Sequence, residues 1–167
     1  MSSATTPLIS RTDRSVPITV LARAGASPSR AFRVIAPIDL STVFDAVAPF
    51  PGVARVLDQD GSWDQAGRSR TPQFDDGSQA TERLSEYVQD QGFAYELTDF
   101  TNALRGLVAG VRGEWSFLPD GSGTSIRWTY EFKPLPGRRW ILAGPFAPLW
   151  RRYMRAALAR MVAVVDA

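Results

Sequence analysis

Neither cysteine nor histidine occurs among the 167 residues, and Lys133 is the single lysine. Without cysteine there is no disulfide, no thiolate nucleophile and no thiolate metal site. Without histidine the usual proton shuttle near neutral pH is missing, together with the Ser-His and Cys-His catalytic pairs and the commonest zinc ligand. Any chemistry falls to carboxylates, tyrosines, arginines and bound water, so no metal and no cofactor are expected. Long hydrophobic runs are also lacking. The N-terminal stretch has no apolar core of signal-peptide length, and no segment approaches a membrane span. The expectation is a soluble, cytoplasmic protein.

What is present is arginine, alanine and aromatic side chains. Arginine in place of lysine, with abundant alanine, is the usage of a GC-rich bacterial genome. The net charge is only +2, but it is unevenly placed. Seven basic residues and no acidic one lie between Lys133 and Arg160, leaving about −5 for the rest of the chain. Such asymmetry bears on partners. The length suits one domain, which buries roughly two thirds of its unfolded surface and needs no staples.

Residues 1 to about 15 are polar and without period, and read as a mobile tail. Val16 to Leu21 reads as an added edge strand, where Pro17 is tolerated. Residues 1–28 thus form a tail with an edge strand, and 29–167 the ligand-binding domain. Ala31 to Ala36 has a short strand pattern. Asp39 is placed to cap a helix through Leu40, Val43, Phe44 and Val47 that ends at Pro49 and Pro51. A second short helix or turn is expected around Gly52 to Val56.

From Trp63 to Lys133 the chain reads as hairpins whose turns set registers. The loop Asp75-Asp76-Gly77 pairs Phe74 with Ser78 and Arg70 with Glu82. The loop from Gln89 to Gly92 would pair Val88 with Phe93, Glu86 with Tyr95 and Leu84 with Leu97. The loop from Asp120 to Gly123 pairs Phe117 with Ile126, Trp115 with Trp128 and Gly113 with Tyr130. In this last hairpin one face collects Val111, Trp115, Phe117, Ile126, Trp128, Tyr130 and Phe132, and the other sets Arg112 opposite Glu131. Glycines at 110 and 113 mark bends that curve the sheet. From Pro148 onward the period becomes helical: Leu149, Trp150, Tyr153, Met154, Ala157, Leu158, Met161, Val162 and Val165 form one stripe. The helix would run roughly 19 residues, about 28 Å.

This order is an α+β plan with helices on one side of an antiparallel sheet. It resembles the START-like superfamily, also called SRPBCC or helix-grip, and within it the polyketide cyclase/dehydrase group. The resembling residues are Arg33 to Asp39 leading to Val43-Phe44, Gly67 with Arg70, Asp76-Gly77 before Glu82-Arg83-Leu84, Phe93 to Leu97, and Gly123-Thr124 with Trp128. They span about residues 31–165. The resemblance implies a curved sheet of six or seven strands around a long C-terminal helix, with one or two short helices after the first core strand. It also implies a cavity that holds lipids, sterols, quinones, polyketides or hormones in different relatives, and it carries no universal catalytic residue.

Three sets of residues are candidates for function. The first is the aromatic face: Phe93, Tyr95, Trp115, Phe117, Trp128, Tyr130 and Phe132, either closed core or cavity wall. The second is a polar cluster of Arg70, Glu82 and Asp99 beside Leu84 and Leu97 on the apolar face, either an anchor for a ligand or a structural ion pair. The carboxylates could also share a proton. From the helix, Trp150, Tyr153, Met154 and Leu158 would contribute. The third is the basic, aromatic stretch within 138–155, either a solvated connection or a transient contact with an anionic membrane or an acidic protein. Nucleic acid is not an expected partner, because Glu114 and Glu131 interrupt the outer strand face. Asp58, Asp60 and Asp64 lack the rest of a calcium loop.

The leading expectation is binding or carriage of a hydrophobic or amphipathic small molecule. One alternative is a polyketide cyclase or dehydrase-like enzyme with a carboxylate, tyrosine and arginine site. Another is a protein-interaction module that uses the basic C-terminal region.

Overall fold

The computed structural model describes residues 6–167. Seven strands form one antiparallel sheet: β1 (Val16–Ala24), β2 (Val53–Leu57), β3 (Ser69–Phe74), β4 (Thr81–Val88), β5 (Gly92–Thr98), β6 (Val108–Asp120) and β7 (Gly123–Pro134). Their order is β1-β7-β6-β5-β4-β3-β2, so a meander from β2 to β7 is closed at one edge by the N-terminal strand. A helix α1 (Pro28–Ile35), two 3-10 turns (Leu40–Thr42 and Ala103–Gly106), a short α2 (Arg139–Ile141), a wide-turned π segment (Leu142–Phe146) and the long α3 (Ala147–Asp166) complete the described chain.

The sheet's inner face is aromatic. Trp115 and Trp128 sit opposite each other on β6 and β7, stack with ring centroids 4.5 Å apart, and are buried. The register expected for this hairpin is the observed one throughout, with Phe117 facing Ile126 and Gly113 facing Tyr130. Arg112 does stand opposite Glu131, although its ion pairs go to Glu86 and Glu114. On α3 the residues Trp150, Tyr153, Met154, Ala157, Leu158, Met161 and Val165 are buried against the sheet. Leu149 lies outside that stripe and is exposed, and Val162 is half-buried.

Several expectations are corrected. Residues 31–35 belong to α1, with Ala36 as its C-cap, and not to a strand: Ser27 accepts a hydrogen bond from the Arg30 amide, Pro28 occupies the first turn, and Ala31, Phe32 and Ile35 are buried together. That spacing is a helix face, and the apparent alternation around Arg33 is incidental. The helix expected after Asp39 shrinks to the single turn Leu40–Thr42, with Asp39 accepting from the Ser41 amide at 3.0 Å. Beyond it the chain folds into a tight loop through a cis Ala48–Pro49 bond, and Val47 bridges Phe50. Residues 53–57 form β2 and no helix, because Val53 pairs with Phe74 of β3.

The β4–β5 register also differs. Val88 pairs with Gly92, Tyr87 with Phe93, Leu84 with Tyr95 and Glu82 with Leu97, with an irregularity between Leu84 and Glu86. Asp90 adopts a left-handed φ of 61°, which closes the turn one residue earlier than expected. Gly92 is then a strand residue, and a side chain there would collide with the Trp115 carbonyl. One consequence reaches the candidate site. Asp99 falls past the end of β5, at φ 54° and exposed to solvent.

Finally, residues 8–15 are not a free tail; residues 1–5 lie outside the described residues. The Leu8 amide donates to Glu96 at 3.0 Å, Lys133 donates to the Leu8 carbonyl at 2.8 Å and pairs with Asp13 at 3.2 Å. Leu8 packs over Gly110, where a β carbon would stand 2.7 Å from its methyl group. The segment straps β5, β6 and β7 together.

Candidate functional site

Between the concave sheet face and α3 lies a cavity of about 320 Å³. Alternation along the strands puts Phe93, Tyr95 and Leu97 of β5, Trp115 of β6, and Tyr130 and Phe132 of β7 on its wall. From α3 come Trp150 and Tyr153, with Met161 further along. Most of this lining is hydrocarbon and aromatic.

One charged pair interrupts it. Arg70 and Glu82 face each other across β3 and β4, and both belong to the cavity wall. The guanidinium donates twice, from Nε to Oε2 at 3.2 Å and from Nη2 to Oε1 at 3.0 Å. Both side chains are buried, with 6% and 4% of their surface exposed. The Trp63 ring, itself buried, covers the guanidinium at 3.9 Å, a cation–π contact. Two-point geometry of this kind is what allows a charge pair to persist in an apolar wall.

Three tyrosines add to the polar lining, as do Asn102 and the solvent-exposed Asp76. Trp128 Nε1 donates to the Tyr95 hydroxyl at 3.2 Å. Burial pushes the Tyr95 phenol up to about 12, and the negative charge of Glu82 adds to this, against a partial offset from hydrogen bonds of Tyr130, Trp115 and Trp128. Tyr130 is raised well above its ordinary value by burial first, then by Tyr95 and Glu82. Tyr153 is raised by burial and by Asp75, and its hydroxyl donates to the Pro51 carbonyl at 2.8 Å. All three are therefore neutral hydrogen-bonding groups near neutral pH.

Of the residues singled out in the sequence, Arg70, Glu82, Phe93, Tyr95, Leu97, Trp115, Tyr130, Phe132, Trp150 and Tyr153 line the cavity. Leu84, Phe117, Trp128, Met154 and Leu158 point inward but are sealed in closed packing away from it. Phe117, for instance, is capped by Phe32 of α1. Asp99 is outside altogether, bonded to Thr98, so no carboxylate pair forms with Glu82. The wall also contains residues that sequence periodicity had not indicated: Ile35 at the end of α1 with Ala36, Ile38 and Leu40 after it, Phe44 and Phe50 in the following loop, Val53 of β2, Phe100, Asn102, Ala103, Leu104 and Leu107 around the second 3-10 turn, and Phe146. Most of them are apolar residues within loops, where no period reveals a direction. Among the described residues no group of three acidic side chains is placed to hold a metal ion, and no helix is long and apolar enough to cross a membrane.

A family model described as polyketide cyclase/dehydrase and lipid transport matches residues 17–166. The match takes in β1, which the resemblance read from the sequence left outside. Among solved structures, Ara h 8.0201 superposes with a TM-score of 0.70 at 11% identity, over 90% of this chain and 97% of that one. Protein CV1439 from Chromobacterium violaceum gives 0.64 at 19% identity, over 90% and 97%. The major latex-like protein 151 from Panax ginseng gives 0.66 at 10%, also over 90% and 97%. At these identities the likeness is one of fold. No curated protein matches the chain in sequence.

Proposed function

Given that this chain belongs to the polyketide cyclase/dehydrase and lipid-transport family, we propose that it binds and carries a hydrophobic or amphipathic small molecule of lipid, polyketide or aromatic type in the cavity under α3. The observation that carries this reading is the cavity itself: about 320 Å³ of apolar space with one buried ion pair on its wall. That volume lies at the lower end of the roughly 300–1,000 Å³ usual for small-molecule sites. Hydrocarbon placed there gains about 25 cal/mol for each Å² removed from water. Glu82 engages Nε and Nη2 of Arg70, which leaves Nη1 for an oxygen on the ligand's polar end, with the Tyr95 and Tyr130 hydroxyls close by along the same wall.

The same groups favour holding over turnover. Both oxygens of Glu82 are occupied by Arg70, and the raised phenols hold their protons, so no free general base faces the cavity from this cluster. The other wall carboxylate, Asp76, is exposed to solvent and accepts from the Ser78 amide. Native mass spectrometry of the purified protein, compared with the denatured chain, tests the reading. A released small molecule is expected, as is saturable one-site binding of an apolar fluorescent probe that Leu107→Trp, at the cavity wall, reduces. Absence of both a bound compound and any saturable probe binding would remove the carrier reading.

A further inference from the structure

Residues 140–150 read Trp-Ile-Leu-Ala-Gly-Pro-Phe-Ala-Pro-Leu-Trp, with no charged, hydroxyl or amide side chain among them. Arg138-Arg139 precede this run and Arg151-Arg152 follow it. An apolar run in a folded domain ordinarily turns inward, yet only Leu142, Phe146, Ala147 and Trp150 are buried here. Trp140 is 69% exposed and Leu149 42%, and Ala143, Gly144, Pro145 and Pro148 also face solvent. The backbone accounts for this. α2 is a single turn, and the wide-turn segment Leu142–Phe146 breaks at Gly144, with φ −94° and ψ −105°. Apolar side chains are thereby turned both into the cavity and out of the protein.

The charge around the segment is of one sign. Of the seven cations from Lys133 to Arg160, only Lys133 and Arg160 form ion pairs among the described residues. Arg138, Arg139, Arg151, Arg152 and Arg155 have no carboxylate partner there, and the intervening sequence contains no acid. A polyanionic protein would satisfy the arginines but offers nothing to an exposed indole, and a nucleic acid would stack a base on the indole but offers no apolar depth to Leu149, Pro145 and Pro148. A membrane leaflet with anionic headgroups offers both phosphate and apolar depth.

We propose that residues 138–152 form a docking surface for an anionic lipid bilayer, with Trp140 entering the headgroup region and the flanking arginines on lipid phosphates. The surface stands independently of what the cavity holds, although Phe146 and Trp150 on the segment's inner side are part of the cavity wall. A docked segment is therefore also a wall of the chamber.

The protein carries its own reporter, because Trp63, Trp115, Trp128 and Trp150 are buried and Trp140 alone is exposed. The full chain is mixed with phosphatidylcholine vesicles, with and without phosphatidylglycerol, at low and high salt. Sedimentation with the anionic vesicles at low salt is expected, accompanied by a blue shift of tryptophan emission that Trp140→Ala abolishes. Arg138→Gln/Arg139→Gln is expected to lower partitioning about 30-fold, and Trp140→Ala about tenfold. Both changes fall on exposed side chains, and circular dichroism verifies the fold. Any of three results overturns the proposal: no sedimentation with anionic vesicles, sedimentation that neither variant alters, or capture of polyglutamate or DNA while vesicles are ignored.

Discussion

The Tyr95 ring of β5 lies directly on the backbone of Gly113 in β6, so closely that a β carbon at 113 would stand 2.2 Å from Cζ. The two residues are register partners, and the missing side chain is what lets the ring swing across the sheet. There its hydroxyl meets Trp128 Nε1. Gly113→Ala is expected to displace the ring, break that hydrogen bond and cost about 1–3 kcal/mol, read as a lower urea midpoint. In a Tyr95→Ala background the same glycine substitution should cost much less, since the colliding ring is gone. Equal costs in both backgrounds would mean that Tyr95 does not depend on Gly113.

Arg70 and Glu82 should behave as a unit. Arg70→Leu alone strands a buried carboxylate and is expected to cost about 3–5 kcal/mol. Arg70→Leu/Glu82→Leu removes both charges from the wall and should cost clearly less than the sum of the single changes. If the pair also anchors a ligand's polar end, the double variant keeps its affinity for a neutral apolar probe. It then loses about tenfold for a carboxylate-bearing analogue. Equal affinity for both probes would leave the pair a structural role only.

How far this architecture was readable from residues depends on what each segment writes into its side chains. β6 and β7 were legible in full because the turn at Gly121 and the alternation from Val111 to Phe132 agree on one register. Arg70 and Glu82 were placed together for the same reason, through the turn at Gly77, whose φ of 84° suits glycine. β4 and β5 were not, since the left-handed Asp90 and the irregularity near Ser85 are backbone events that no side-chain pattern announces. Inward direction was also easier to read than cavity position. Trp128 and Tyr130 share a face, but Trp128 is covered by Phe44 while Tyr130 reaches the open space. That difference lies in the loop between α1 and β2, which has no period.

The N-terminal strap offers a protease test. Arg11 and Arg14 are exposed within it, and Lys133 holds it through the Leu8 carbonyl and Asp13. Because Lys133 and Asp13 are partly solvated, Lys133→Met should lower global stability by no more than about 1 kcal/mol. It should nevertheless speed trypsin cleavage after Arg11 and Arg14 severalfold, because the released strap unfolds locally without the rest of the sheet. An unchanged cleavage rate would show that Lys133 is not its fastener.

Alkaline pH probes the buried phenols as a group. Burial raises Tyr95 to about 12 and lifts Tyr130 and Tyr153 as well, whereas an unfolded tyrosine ionises near 10. The folded chain therefore holds protons that the unfolded chain releases. The resulting stability is present in full below pH about 10 and is lost as pH rises from there towards the folded values. Each such tyrosine contributes a slope of about −1.4 kcal/mol per pH unit over that window. The urea midpoint should thus hold steady up to pH about 9.5 and then fall steeply. Phenolate absorbance supplies the second readout. Tyr87, the fourth tyrosine, is less deeply placed and only raised by partial burial and by Asp64 and Asp90. It should titrate alone in the native protein, with the remaining three appearing together as the chain unfolds. Tyr95→Phe should flatten the fall in the midpoint by one such slope. Four phenols that ionise independently near 10 in the folded protein would mean that Tyr95, Tyr130 and Tyr153 face water rather than the closed chamber.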